Sequence, residues 1–259
     1  MPAYMTSLKG KRPSNEDAHT VYINNDTNIN LYGVYDGHGG KFISHFLSNN
    51  LPLFFTSNNV YPLKPDYVNL VYDKIQNVLL TKYEKASIES GSTCLLVCHF
   101  KQNGLDYLNI LNTGDSRCVL CNGNNFGISL TKDHKPDWID EYIRITKLGG
   151  VPKNDNGVCR IGSLSVSRAF GDKDEIPYVT HNPEMFLHTL NKNDKFMIVA
   201  CDGLWDVMDS QEAVNFVLRN CYDIDMKRIN MSANIARLLG ETCIEMGSSD
   251  NITCIIVFF

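Results

Sequence analysis

The sequence predicts an α+β fold in which two antiparallel β-sheets pack together with helices outside. Three observations carry that expectation. Short β-prone runs joined by turn residues fall into two groups, at 19–35 and 93–130. Helical periodicity fills the stretches between and after them, without the regular strand–helix alternation of a parallel doubly wound sheet. Three apolar runs each carry an aspartate at one end: 31–35 before Asp36, 195–201 before Asp202, and 251–259 after Asp250. If those strands are neighbours in one core, their aspartates converge.

The elements follow in order. Residues 1–18 are polar and hold Arg12, Glu16 and Asp17. Residues 19–23 and 29–35 are β-prone, and the Asn-rich turn between them predicts a hairpin that ends on Asp36. Phe42, His45, Phe46, Leu47 and Leu51 recur at helical spacing, which predicts a helix over 41–56. A loop with two prolines spans 57–66. Leu70, Val71, Ile75, Val78 and Leu79 predict a second helix over 67–90. Runs at 93–100, 105–112, 116–121 and 127–130, with the turns KQNG and NGNN, predict an antiparallel meander. Asp115 lies between its second and third strands. A short helix over 137–148 follows Pro136 and stops at Gly149-Gly150. Residues 151–180 read as an irregular flap with one or two small strands. A buried strand at 195–201, helices at 210–219 and 232–246, and a strand at 251–259 complete the chain. No linker and no repeat of 20–50 residues divides it, so 1–259 is expected to be a single domain.

Composition narrows the function classes. With 259 residues, 43% hydrophobic and 20% charged, the chain is an ordinary globular protein with a full core. A formal net charge of -5 speaks against a general nucleic-acid binder. No apolar run approaches the roughly 20 residues of a membrane span, and the amino terminus has no signal-peptide pattern. The expectation is a cytoplasmic or nuclear protein without nucleic-acid or membrane partners. The 9 cysteines are scattered, mostly inside apolar runs, as reduced buried thiols are. Cys118 and Cys121 have C-x-x-C spacing but no second pair nearby, so no zinc or redox role is expected. Sequons at Asn25, Asn230 and Asn251 carry no weight without a secretory signal.

The chemistry-bearing residues are the strand-end carboxylates Asp36, Asp115, Asp202 and Asp250, with Asp206 four positions past Asp202. Each alone reads as a turn or cap residue. Gathered together they repel and raise one another's pKa, so something positive must hold them ionised. Oxygen ligands without a His or Cys cluster suit the hard cations Mg²⁺ or Mn²⁺. Gly37 leaves room for a backbone carbonyl or a water to complete such a shell. Two such ions sharing a carboxylate lower the pKa of a bridging water. Arg12 reads as a solvated charge or as a bidentate clamp on phosphate oxygens. His38 reads as a turn residue or as a general acid for a leaving alcohol. The run GHGGK lacks the G-x-x-x-x-G-K-[ST] spacing, so nucleotide binding is not expected.

These residues sit in segments that resemble the protein phosphatase 2C family of metal-dependent serine/threonine phosphatases. The segments are RPSNEDAH (12–19), VYDGHGG (34–40), GST (91–93), GDSR (114–117), LTKDHKP (130–136), RI and GG within 144–150, LSVSRAFGD (164–172), CDGLWDVM (201–208) and SSDNIT (248–253). They run from end to end in order. The resemblance implies a central sandwich of two antiparallel β-sheets flanked by α-helices on both sides. It implies two Mg²⁺ or Mn²⁺ ions per subunit, bridged by Asp36, with the Gly37 carbonyl on one and Asp202 and Asp250 on the other. Glu16 and Asp17 match an acidic pair that contacts metal-bound water. Arg12 matches a phosphate-binding arginine and His38 a general acid. Asp115 and Asp206 match positions linked to a weaker third ion, and 151–178 matches the flap that contributes to substrate choice. The implied reaction is hydrolysis of phosphoserine or phosphothreonine in protein substrates by a monomer. A hydroxide bridging the metals attacks in line, with no phosphoenzyme intermediate.

Some positions depart from the family pattern. Ser165 and Cys94 stand where alanine is common, and only about ten residues precede Arg12, so the usual first strand is expected to be short or differently paired. Every expected metal-binding acid is present, which argues against the rival reading of a non-catalytic adaptor. A second rival, a hydrolase of small phosphate esters, differs in which substrates turn over.

Overall fold

A computed structural model describes residues 1–228 and 234–259. The chain opens with β1 (Ala3–Leu8), β2 (Ala18–Asn24), β3 (Ile29–Tyr35) and β4 (Gly37–His38). Helix α1 (Phe42–Asn50) ends before Pro52, which has no N–H for the helical ladder and starts a 3-10 turn over Pro52–Phe55. The helix expected over 41–56 is shortened for that reason. Helix α2 (Pro65–Lys82) has Pro65 in its first turn, where the missing N–H costs nothing. Tyr83, at φ -126° and ψ 37°, separates it from α3 (Glu84–Glu89), so the helix expected over 67–90 is two helices.

Next come β5 (Gly91–Ser92), β6 (Cys94–Gln102), β7 (Leu105–Thr113), β8 (Arg117–Cys121) and β9 (Gly127–Ser129). Helix α4 (Ile139–Lys147) leads to a flap that carries β10 (Lys153–Asp155), β11 (Val158–Arg160) and β12 (Phe170–Gly171). After β13 (Glu184–Thr189) and β14 (Phe196–Ala200) come α5 (Asp202–Trp205), α6 (Ser210–Cys221) and α7 (Ile235–Glu245). An Asp209–Glu212 capping box starts α6. Strand β15 (Ile252–Phe258) closes the fold. The expected helix start at Ser232 and the sequon at Asn230 lie outside the described residues.

Two five-stranded antiparallel sheets form the centre, in the orders β1-β15-β14-β8-β9 and β13-β7-β6-β3-β2. Side chains alternate across each strand, so both faces of both sheets are used. Tyr32, Val34, Leu95, Val97, Leu108 and Ile110 meet Leu120, Met197, Val199, Ile255 and Val257 between the sheets. On one outer face Leu31, Leu96 and Leu111 pack under Leu47, Val71, Ile75 and Leu79 of α1 and α2. On the other, Ile198, Cys254 and Ile256 pack under Val217, Leu239 and Cys243 of α6 and α7. Each fully buried Leu or Ile here contributes about 1.5–3 kcal/mol. The α+β sandwich with helices on both sides is the fold the sequence predicts.

Three expectations change. The four strands over 93–130 are not one meander: β6 and β7 belong to one sheet, β8 and β9 to the other. The chain crosses between sheets at Gly114-Asp115, which brings Asp115 to the end of the sandwich. The amino-terminal residues are not merely polar: they form a six-residue strand. Strand β1 pairs along its whole length with β15, from Ala3 opposite Val257 to Leu8 opposite Ile252. Strand β13 pairs with β7, and its half-buried mixture of residues left no clear alternation to read. All nine thiols are free. Cys118 faces the core between the sheets and Cys121 the opposite face, so the pair shares no site. Cys94 is buried in β6, as expected.

Candidate active site

The carboxylates converge at one end of the sandwich. Strand β3 delivers Asp36, the crossover between β7 and β8 delivers Asp115, and β14 delivers Asp202 through Cys201. One oxygen from each of Asp36, Asp115 and Asp202 lies within 4.8 Å of the others. Asp17, Asp36 and the Cys201 thiol form a second group at the same spacing. Asn251 ties in the amino-terminal segment: its Nδ2 donates to the carbonyls of Lys9 (2.8 Å) and Ser14 (2.9 Å), and its Oδ1 accepts from the Glu16 N–H (2.9 Å). That side chain is buried and fully used, so the Asn251 sequon is a structural coincidence. A Cβ on Gly37 would stand 2.3 Å from the Glu16 carbonyl oxygen, so only glycine lets this segment lie against the Asp36 turn.

The electrostatics point to a cation. Burial pushes the Asp36 carboxyl well up, and the charges of Asp202, Asp17 and Asp115 add to it. Burial, then Asp115 and Asp206, push Asp202 up to about 8. Burial pushes Asp17 up to about 6. Asp17 is 5% exposed, and its Oδ1 has no hydrogen-bond partner. A buried carboxylate oxygen without a donor, beside crowded like charges, is what a bound cation relieves. The donor atoms nearest one another in the first group are all oxygens, as Mg²⁺ and Mn²⁺ prefer. The residues present fit such ions.

The other expected residues are placed as follows. Arg12 Nη2 donates to Asp250 Oδ2 at 2.6 Å, so Asp250 faces the cleft paired with Arg12 and belongs to neither close group. Glu16 Oε2 accepts from the Gly40 N–H at 3.1 Å. Asp206 is exposed, and its N–H donates to the Asp202 carbonyl at 2.8 Å. His38 Nε2 faces Asp172 Oδ1 and Oδ2 at 2.8 and 2.9 Å. For His38, burial opposes the charged ring, but the Asp172 hydrogen bond outweighs it and raises the pKa.

Two site residues were missed. The Lys135 ammonium donates to Asp115. Burial works against its charge, yet Asp115 more than offsets this and raises its pKa. Asp172 was the other. Both stand in segments that carry the family resemblance, LTKDHKP and LSVSRAFGD, but neither ends an apolar run that spacing could single out. His134 pins the Asp115 turn: its Nδ1 accepts from the Gly114 N–H (3.1 Å), and its N–H donates to the Gly114 carbonyl (3.0 Å). Arg12, Glu16, Asp36, His38, Asp115, Asp202 and Asp250 line one cleft of about 260 Å³, with flap residues Arg160 and Ser163 to Val166 on its rim. Ser165, the flap departure from the family pattern, is among them.

Comparison with known proteins agrees. A family model described as "Protein phosphatase 2C" matches residues 3–252. A "Probable protein phosphatase 2C 59" of Oryza sativa subsp. japonica is 37% identical over 263 residues, covering 98% of this chain and 74% of that protein. A PP2C-like domain-containing protein of Acanthamoeba polyphaga mimivirus is 46% identical over 169 residues, 59% of this chain and 94% of that protein. The crystal structure of a phosphatase from a pathogenic strain of Toxoplasma gondii superposes with a TM-score of 0.85 at 22% identity, covering 99% of this chain and 92% of that one. That likeness speaks for the fold. Fold, site and relatives together define a serine/threonine phosphatase. The chain belongs to the protein phosphatase 2C family.

Proposed function

We propose that this chain is a metal-dependent protein phosphatase that hydrolyses phosphoserine and phosphothreonine esters by direct attack of water, with no phosphoenzyme intermediate. The observation that carries the reading is the convergence of Asp36, Asp115 and Asp202 within 4.8 Å beside Asp17 with its unpartnered oxygen. Asp36, the Gly37 carbonyl, Asp202 and Asp250 hold two Mg²⁺ or Mn²⁺ ions, with Glu16 and Asp17 around them. Asp115 and Asp206 serve a weaker third. When bound, these ions supply positive charge against the phosphoryl oxygens and acidify the attacking water.

The chain's own residues do the rest. Arg12 binds and orients the phosphoryl group from the cleft mouth. His38 holds the proton that the leaving serine or threonine oxygen needs. The flap at 151–178 contacts the substrate polypeptide and contributes to its selection. A point in favour of direct attack is the state of Cys201, the thiol nearest the acids. It is fully buried, and burial pushes its pKa up, so it is a poor nucleophile. The chain 1–259 works as one catalytic unit and as a monomer, in the cytoplasm or nucleus and without nucleic-acid or membrane partners. Among the described residues no helix is long and apolar enough to cross a membrane.

The test is phosphate release from a phosphothreonine peptide with Mn²⁺, with Mg²⁺ and with chelator, beside Asp202→Asn. Activity is expected with metal and almost none with chelator or in the variant. Folded wild type that releases no phosphate with either metal would favour an adaptor. Turnover confined to small phosphate esters would favour the second rival. Activity that survives both chelator and Asp202→Asn sinks the metal mechanism.

A further inference from the structure

Beside the main sheets lies a three-stranded sheet of two-residue strands, in the order β12-β5-β4. In it His38 pairs with Gly91, and Gly91 pairs with Gly171. Asp172 follows at once, in the left-handed region at φ 45° and ψ 49°. An aspartate there is strained relative to glycine, and such strain persists where surrounding structure enforces it. The side chain is turned onto His38, with both oxygens within 2.9 Å of Nε2. Asp172 is only 8% exposed, and among the described residues its carboxylate makes no other hydrogen bond. Gly91 leaves the gap that the pair fills: a Cβ there would stand 2.0 Å from Asp172 Oδ2 and 2.5 Å from His38 Nε2. His38 lines the cleft, while Asp172 stands behind it.

We propose that Asp172 is a positioning residue for leaving-group protonation: it holds His38 by Nε2 and leaves Nδ1 to face the leaving oxygen. The inference rests on the phosphatase reading above. A carboxylate is an acceptor only, so it fixes a proton on Nε2 and sets the ring orientation. The ring nitrogen that can serve substrate is then Nδ1. The step balances. Water oxygen forms the new bond to phosphorus, and the ester P–O bond breaks with its electron pair on the serine or threonine oxygen. That oxygen takes the proton from Nδ1. One water proton stays with the phosphate and the other restores Nδ1, while Nε2 keeps its proton toward Asp172 throughout.

The test uses leaving-group dependence. A phosphothreonine peptide expels a basic alkoxide and needs the proton. p-Nitrophenyl phosphate expels a stable anion and does not. For Asp172→Asn with Mn²⁺, kcat on the peptide is expected to fall on the order of 10²-fold, and on p-nitrophenyl phosphate less than about 3-fold. The ratio of the two rates, taken on one preparation, is independent of how much of the variant folds. His38→Asn is expected to shift that ratio alike, and the double variant to shift it no further. An unchanged ratio in Asp172→Asn, whatever the absolute loss, overturns the inference while a shifted ratio in His38→Asn leaves the parent reading standing. An unchanged ratio in His38→Asn overturns both His38 as the acid and Asp172 as its support. Wild type inert on both substrates sinks the phosphatase reading itself.

Discussion

Arg12 Nη2 and Asp250 Oδ2 are 2.6 Å apart although 238 positions separate the two residues in sequence. A proposed phosphate clamp and a proposed metal ligand are thus partners. Burial works against the Arg12 charge, but Asp250 outweighs it, and Asp202 and Asp36 add to the rise in its pKa. The guanidinium is therefore held over an acidic site until a phosphoryl group takes its donors.

Arg12→Ala is expected to raise KM for a phosphothreonine peptide about 10-fold, the scale of one charge-assisted hydrogen-bond pair. Arg12→Lys should restore only part, because an ammonium lacks the planar fork. Steady-state kinetics on the three proteins decide it. A KM unchanged in Arg12→Ala would mean that Arg12 serves Asp250 and not the substrate.

The acidic cluster trades stability for cation binding. Asp36 is buried among Asp17, Asp115 and Asp202, and those charges destabilise the metal-free protein. Asp36→Asn removes one of them. It should stabilise the chelated protein by about 1 kcal/mol, a rise of roughly 2–4 °C in Tm for a chain of this size. Wild type should gain further on adding Mn²⁺, by mass action, and the variant should not. Thermal unfolding with chelator and with Mn²⁺ reads both effects. Equal gains with Mn²⁺ in the two proteins would place the cation elsewhere.

Most of this architecture was legible because strands that are buried on both faces read as apolar runs. Strands β3, β14 and β15 do so, and each marked its aspartate. Pro52 and Tyr83 cut helices that hydrophobic period alone extends, since period registers which face is buried and not where a ladder breaks. Strand β13, half buried at the sheet edge, had no such pattern. The crossover that puts Asp115 beside Asp36 depends on which sheet each strand joins, and turn chemistry is silent on that. Lys135 and Asp172 were invisible for a related reason. Their importance lies in single contacts across the site, with Asp115 and His38, and a lone Lys or Asp in a loop reads as solvated surface.

A buried ion group links α4 to the segment that ends at Asp172. Glu141, 2% exposed, accepts from Arg168 Nη2 at 2.6 Å and Arg144 Nη2 at 2.9 Å, and Arg144 also donates to the Ser167 carbonyl at 2.8 Å. Burial opposes the Glu141 charge, but Arg168 and Arg144 overcome it and bring its pKa down to about 2 from an ordinary 4.5. Between those values the unfolded chain binds the proton and the folded one does not, so stability rises with pH there. The contribution is present above about 4.5 and lost as pH falls toward about 2. Glu141→Gln is expected to cost about 2 kcal/mol at neutral pH, because it takes the charged acceptor from two half-buried guanidinium groups. Urea unfolding at stepped pH should show the difference between variant and wild type shrink across that window. A difference that stays constant down to the acid end would mean the carboxylate charge contributes nothing and only packing is lost.

One tight geometric demand in the site falls on a residue with no side chain. Gly91 separates His38 from Asp172, and any Cβ there enters within 2.5 Å of both. The neighbours are a short strand pair and the Asp172 turn, neither free to retreat without parting the hydrogen bond. Gly91→Ala should therefore push Asp172 off His38 while leaving Asp36, Asp115 and Asp202 in place. The expected result is a fall on the order of 10²-fold in kcat on a phosphothreonine peptide, as misplacement of an acting group by about 1 Å produces. Overpacking should cost about 1–3 kcal/mol in stability. The rise in Tm on adding Mn²⁺ should persist, because the carboxylates are not displaced. Kinetics and thermal unfolding on the same sample separate the two effects. Full peptide turnover in Gly91→Ala would show that the His38–Asp172 contact is dispensable, and loss of the Mn²⁺ response would show that the small sheet supports the cation site as well.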